Sequence, residues 1–135
     1  VGMIIRSAVA AGVDGLLYPK RGIAALGPLV IKASAGNVFR APIIRCDATA
    51  AAVTALKSKG FRVATLEASA TTSLFEFKAA DSVVCVLGGE SDGIGREVAA
   101  LADTRLTIPM ANGVESLNVA VTAALVSFHL GHTPD

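Results

Sequence analysis

Apolar residues recur along this chain in short runs punctuated by glycine, and the runs alternate between helix-like and strand-like patterns. Residues 3–11 are almost wholly apolar with Arg6 as their one charge, and Gly12 is a natural C-terminal stop, so the pattern predicts a helix. Residues 13–18 read as a short strand ending at Pro19. Residues 28–35 predict a helix opened by Pro28 and closed around Gly36, and 41–46 a strand. An Ala-rich helix is expected over 48–59, with Asp47 as its N-cap and Gly60 as its stop. A strand follows at 61–66, then a Thr/Ser-rich loop over 67–80 with one helical turn near 74–77. The run 82–87, apolar throughout after Ser82, carries the mark of a strand covered on both faces. Residues 96–102 read as helix, 105–108 as strand and 116–130 as a last helix, with a frayed tail from 131. Strands alternating with helices predict an α/β fold, a mostly parallel sheet flanked by helices.

The last helix adds an expectation about assembly. Leu117, Val119, Val121, Leu125, Val126 and Phe128 place apolar groups nearly all round it. Such a helix must be buried on more than one side, and a partner subunit is expected to cover the remaining face.

The length of 135 residues suits one domain with its own core. With 53% hydrophobic but only 4% aromatic residues, that core must be built from Ala, Val, Leu and Ile. A net charge of +1 is too near neutral to announce a nucleic-acid partner by bulk electrostatics, which leaves only a local basic patch. Lys20, Arg21 and Gly22 form such a loop, either simply solvated or in contact with phosphate. No apolar run approaches the roughly 18 residues of a membrane span, and neither a membrane nor a signal peptide is expected. Cys46 and Cys85 lack metal spacing and read as buried, reduced thiols of a cytoplasmic protein, with a disulfide as the lesser alternative.

Two glycine-bearing loops are the candidate chemistry. Residues 88–95 (Gly-Gly-Glu-Ser-Asp-Gly-Ile-Gly) follow a late strand, are not a G-x-G-x-x-G fingerprint and carry no P-loop Gly-Lys-Ser/Thr. They form either a tight strand-to-helix turn or a ligand loop, with Glu90 a solvated or helix-start carboxylate. Residues 108–122 run from a strand end through a Gly-containing turn into the last helix, the arrangement that sets backbone N–H groups at a pocket mouth. Ser116 is a candidate cap there, and Asn118 a first-turn polar residue. No metal-ligand cluster is evident; His129 and His132 are too isolated for an acid/base pair. The absence of a Gly-x-Ser-x-Gly elbow argues against a hydrolase.

Taken together, Gly2-Met-Ile-Ile-Arg-Ser-Ala with Gly12-Val-Asp-Gly15, Val86-Leu-Gly-Gly-Glu-Ser-Asp-Gly93, and Ile108-Pro-Met-Ala-Asn-Gly-Val-Glu-Ser-Leu-Asn-Val-Ala-Val resemble the three motifs of the TrmH/SpoU family of RNA ribose 2′-O-methyltransferases, in the SPOUT class. Lys32-Ala-Ser-Ala-Gly-Asn-Val-Phe39 also resembles a family segment. The third motif is the most specific. The resemblance implies a C-terminal deep trefoil knot, S-adenosylmethionine as cofactor without a metal, an RNA substrate, and a homodimer formed through the knot region and last helix. It implies that Gly88, Ile108 and Leu117 hold the cofactor, that Leu66 and Met110 line the same pocket, and that Ser116 and Asn118 are the polar pair at the last helix. Glu90 matches the second-motif carboxylate, a loop organiser rather than a proton acceptor. Arg6 matches the first-motif arginine that reaches the target ribose, whereas from the residues alone it reads as a surface side chain passing the helix. Guanidinium groups hold their proton at neutral pH, so Arg6 is expected to clamp phosphate and stabilise alkoxide charge rather than act as base.

The family's first motif opens on an Asn at the position before Val1. The whole chain, 1–135, is therefore expected to be a catalytic domain lacking its first strand and any N-terminal RNA-binding domain. Ribosomal RNA is the first expected substrate and transfer RNA the second. A catalytically silent knotted RNA-binding module is one alternative. A plain α/β nucleotide-binding domain using the 88–95 loop for phosphates is another.

Overall fold

The computed structural model describes residues 2–19, 43–79, 82–88 and 93–132. The helix expected at 28–35, the basic loop 20–22 and Glu90 lie outside the described residues. Helix α1 (Gly2–Ala11) ends as its sequence requires: Gly12 takes φ 80°, a left-handed conformation open to glycine, and its N–H donates to the Val9 carbonyl at 3.1 Å. Strand β1 (Leu16–Pro19) begins later than position 13 and pairs in parallel with β2 (Ile43–Cys46). Helix α2 (Thr49–Ser58) is not capped by Asp47. Ala48 holds the extended N-cap conformation with no side-chain bond, which leaves Asp47 one residue too early.

The remaining strands are β3 (Arg62–Leu66), β4 (Thr72–Ser73), β5 (Val83–Leu87) and β6 (Thr104–Thr107), joined in parallel in the order β4-β6-β3-β5. A short 3-10 helix (Leu74–Glu76) follows β4, and α3 (Arg96–Ala99) precedes β6. The two-residue β4 was missing from the sequence expectation because a strand this short and polar carries no period. The doubly covered strand is β3, not 82–87: Val63, Ala64 and Thr65 are buried in succession, while β5 is half-buried along its length. The order explains this, since β3 has a strand on each side and β5 is at the edge among the described strands. The core gathers Ala64, Leu74, Leu106, Ile108 and Val126. Complete burial of Leu74 and Leu106 contributes about 2 kcal/mol each.

Helix α4 (Val119–Gly131) starts later than position 116, and its cap is Asn118 rather than Ser116: Asn118 Oδ1 accepts from the Ala120 N–H at 2.8 Å. It lies beside α1 and runs in the same direction. Met3 and Ser7 share a surface depression with Ala120 and Ala124, and near the other end a Cβ on Gly131 would sit 2.8 Å from the Ala11 carbonyl oxygen. Ala123 and Val126 are buried, but Val121 and Phe128 remain 48% and 45% exposed, so one chain covers only part of this apolar helix. His129 Nε2 donates to the Phe77 carbonyl at 2.9 Å and its ring meets Phe75 edge-on, which ties α4 to the segment after β4.

Asp103 fastens β3 where it enters the sheet. Its Oδ2 accepts from the Val63 N–H at 2.8 Å, its own N–H donates to the Val63 carbonyl at 2.8 Å, and Lys57 Nζ lies 3.2 Å from Oδ1. The Val63 N–H, with help from Lys57, holds the Asp103 carboxyl below its ordinary range. A carboxyl depressed in the folded state stabilises the fold above its unfolded titration range and loses that contribution as pH falls through the folded value. Asp103→Asn should therefore melt below wild type near neutral pH and lose less on acidification, so that the two thermal midpoints converge at low pH. Asn118→Ala removes the α4 cap and should cost about 1 kcal/mol in denaturant unfolding, whereas Asn118→Asp, which keeps an acceptor, should stay close to wild type.

Candidate functional site

A cleft opens at the carboxyl ends of β3 and β6, the edge where open parallel sheets present their loops. The Glu67 N–H donates to the Leu106 carbonyl at 2.8 Å and so holds the two strand ends together. Beyond β6 the chain buries Ile108 and then reverses through Ala111-Asn-Gly-Val114. Asn112 and Gly113 take φ 58° and 73°, and the Val114 N–H donates to the Ala111 carbonyl at 3.2 Å. Two central residues at positive φ are the Asn-Gly signature of a type I′ turn. The reversal sets the outgoing and returning segments on one cavity before Asn118 starts α4.

That cavity measures about 420 Å³, a volume suited to a small cofactor. Leu66, Glu67 and Ala68 line it from the end of β3, Thr107, Ile108, Pro109 and Met110 from the exit of β6, Val114, Glu115, Ser116 and Leu117 from the returning segment, and Thr122 from α4. Met110, Val114 and Leu117 leave large apolar side chains exposed at it. Apolar surface left open in a concave site suits a ligand with an apolar or aromatic body.

Its polar side carries two carboxylates, of which one is already paired. Glu67 is gripped by Arg105, with Nε 2.6 Å from Oε2 and Nη2 3.1 Å from Oε1, and the buried Thr65 hydroxyl donates to Oε2 at 2.9 Å. The Arg105 hydrogen bonds hold the Glu67 carboxyl below its ordinary range, with a smaller contribution from Thr65, and Glu67 raises Arg105 in return. Glu115 adds a second carboxylate, and no Lys or Arg lines the cleft among the described residues. Such a lining favours a neutral or cationic ligand and disfavours phosphate.

The structure therefore brings Leu66, Ile108, Met110, Ser116 and Leu117 together. Asn118 stands one residue past the lining as the α4 cap. Gly88 is outside it, but follows Leu87, which pairs with Leu66. A Cβ on Gly88 would lie 2.7 Å from the Gly93 carbonyl carbon, so the close approach of residues 88 and 93 requires glycine at 88. Arg6 lines a separate depression with Met3, Ser7, Ala120, Val121 and Ala124. Burial pushes the Cys85 thiol up to about 12, which makes it a poor nucleophile. Both cysteines are free, and no group of three metal-ligating side chains occurs among the described residues, where no helix is long and apolar enough to cross a membrane.

Glu67 and Arg105 were not singled out from sequence. One signal was available, since Glu67 directly follows a strand and strand ends carry ligand groups in parallel sheets. Its pairing with Arg105 depends on the Thr65–Arg105 register of β3 and β6, which no local pattern encodes.

Comparison with known proteins places these features in a family. A Staphylococcus aureus protein named as a TrmH family tRNA/rRNA methyltransferase is 38% identical over 130 residues, 96% of this chain and 52% of its own length. The SpoU methyltransferase AviRb from Streptomyces viridochromogenes, solved in complex with the cofactor AdoMet, superposes with a TM-score of 0.84 at 26% identity, over 95% of this chain and 53% of its own. An AdoMet-bound rRNA methyltransferase from Sinorhizobium meliloti superposes at 0.87 and 27% identity, over 95% of this chain and 49% of its own. The chain thus spans about half the length of the curated relatives it matches. The model of the SpoU rRNA Methylase family matches residues 1–128, and with this α/β parallel-sheet fold the chain belongs to that family.

Proposed function

We propose that this chain is the catalytic unit of an S-adenosylmethionine-dependent methyltransferase acting on a ribose 2′-OH of structured RNA, with ribosomal RNA the first substrate and transfer RNA the second. The gathering of Leu66, Ile108, Met110, Ser116 and Leu117 on one phosphate-averse cleft carries this reading. The acidic lining also speaks against a nucleotide domain that grips phosphates there. The cofactor supplies a methyl group already activated on a sulfonium, and the carboxylate of Glu115 favours that positive charge. Leu66, Ile108, Met110 and Leu117 wall the apolar part of the ligand, and Gly88 helps to hold it through its backbone.

The remaining work is to position a poor nucleophile and manage its proton. Asn118 has its Oδ1 engaged by the Ala120 N–H, which leaves its amide NH2 as the donor. Ser116 provides a hydroxyl on the same segment. Glu90 organises the loop before α3. Arg6 clamps the target nucleotide's phosphate and stabilises developing alkoxide charge, as a planar fork does better than a point charge. Arg6 lies off the cleft of its own chain, which is consistent with service to the cleft of a second copy. A homodimer formed through the last helix would cover Val121 and Phe128, in a fold whose C-terminal part is a trefoil knot. Selection among RNAs falls to regions beyond the matched half of the relatives, in a cytoplasmic enzyme.

Calorimetric titration with S-adenosylhomocysteine should give one site per subunit, and a folded chain that binds none would overturn the reading. Arg6→Lys should keep that binding and lose most methyl transfer from tritiated S-adenosylmethionine to ribosomal RNA. Near-wild-type transfer in this variant would remove the clamp role from Arg6.

A further inference from the structure

Glu67 is the most tightly specified polar group in the cleft, and neither the motifs nor the family likeness accounts for it. Its Oε2 accepts from both Thr65 Oγ1 and Arg105 Nε, so that oxygen's two lone-pair positions are taken. Its Oε1 accepts only from Arg105 Nη2 at 3.1 Å, which leaves one acceptor position. The side chain is 17% exposed, and the residue lines the cleft beside Leu66. A carboxylate fixed on two sides cannot swing away, so its last acceptor site is held at a set position.

The chemistry of that site selects its ligand group. Arg105 already neutralises the carboxylate in a bidentate pair, so a cationic group gains little from Glu67 that Glu115 does not offer better. A neutral hydroxyl needs only a directed acceptor. An acid at the end of a parallel strand, next to an apolar wall, is the arrangement by which nucleoside sites accept from ribose hydroxyls. We infer that Glu67 is the acceptor for a ribose hydroxyl at the nucleoside end of the cofactor, with Arg105 and Thr65 as the residues that position it. This assignment rests on the methyltransferase reading above.

The test compares S-adenosylhomocysteine with its 2′-deoxy and 3′-deoxy forms by calorimetry on the full chain. Wild type should bind at least one deoxy form roughly tenfold or more weakly, the usual size of a lost bond to a charged acceptor. Glu67→Ala should bind the parent compound more weakly and no longer distinguish it from that deoxy form. If alanine prevents folding, Glu67→Asp, which withdraws the carboxylate by one methylene, should shrink the same ratio. A merely structural Glu67 would change all three affinities together and leave their ratio untouched. Equal binding of all three ligands by wild type, or an undiminished ratio in the folded variant, would overturn the Glu67 assignment and leave the methyltransferase reading intact. Failure of wild type to bind any of the three would overturn that reading and the assignment with it.

Discussion

β3 lies between β5 and β6 with its end level with theirs, Leu66 opposite Leu87 on one side and Leu106 on the other. The cleft depends on this parallel register. It places the exits of β3 and β6 at one edge, so the loop after β6 folds back over the end of β3 rather than away from it. It also sets Arg105 next to Thr65, from where the guanidinium reaches the carboxylate two residues on. A one-residue slip would turn Arg105 to the opposite face and bury charge where Leu106 now sits. The complete burial of Leu106 is therefore what holds the polar side of the site in place.

The buried Thr65 links core and site. A hydroxyl with no solvent exposure is costly unless it is bonded, and Thr65 finds its acceptor on Glu67 rather than within the sheet. Satisfying the core thus aims a side chain at the ligand. The Asn112-Gly113 reversal works similarly from the other wall. A turn with two residues at positive φ is rigid for its length, so the segment bearing Ser116 and Leu117 is presented without help from regular structure.

Much of this was readable from the chain alone, and the exceptions have physical causes. The stops at Gly12 and Gly60 were legible because both take positive φ, where glycine has no rival. The cleft-lining residues 108–110 and 114–117 were legible because they belong to one local, specific motif. Asp47 and Ser116 were placed as caps by residue type, but a cap is decided by which residue turns extended, and that fell to Ala48 and Asn118. Hydrophobicity pointed to 82–87 as the doubly covered strand, whereas burial follows strand order, a property of pairings distant in sequence. The Glu67–Arg105 pair, 38 positions apart, was invisible for the same reason.

Helices α1 and α4 run side by side in the same direction, with their first turns at the same end. Each helix dipole places about half a positive elementary charge at its N-terminus. In antiparallel neighbours those fields would cancel; here they add, close to the exposed guanidinium of Arg6. A chain whose formal charges nearly balance at +1 thereby gains about one further positive charge, spread over the two helix starts. It comes from backbone amides rather than lysines, and counting charged side chains does not reveal it.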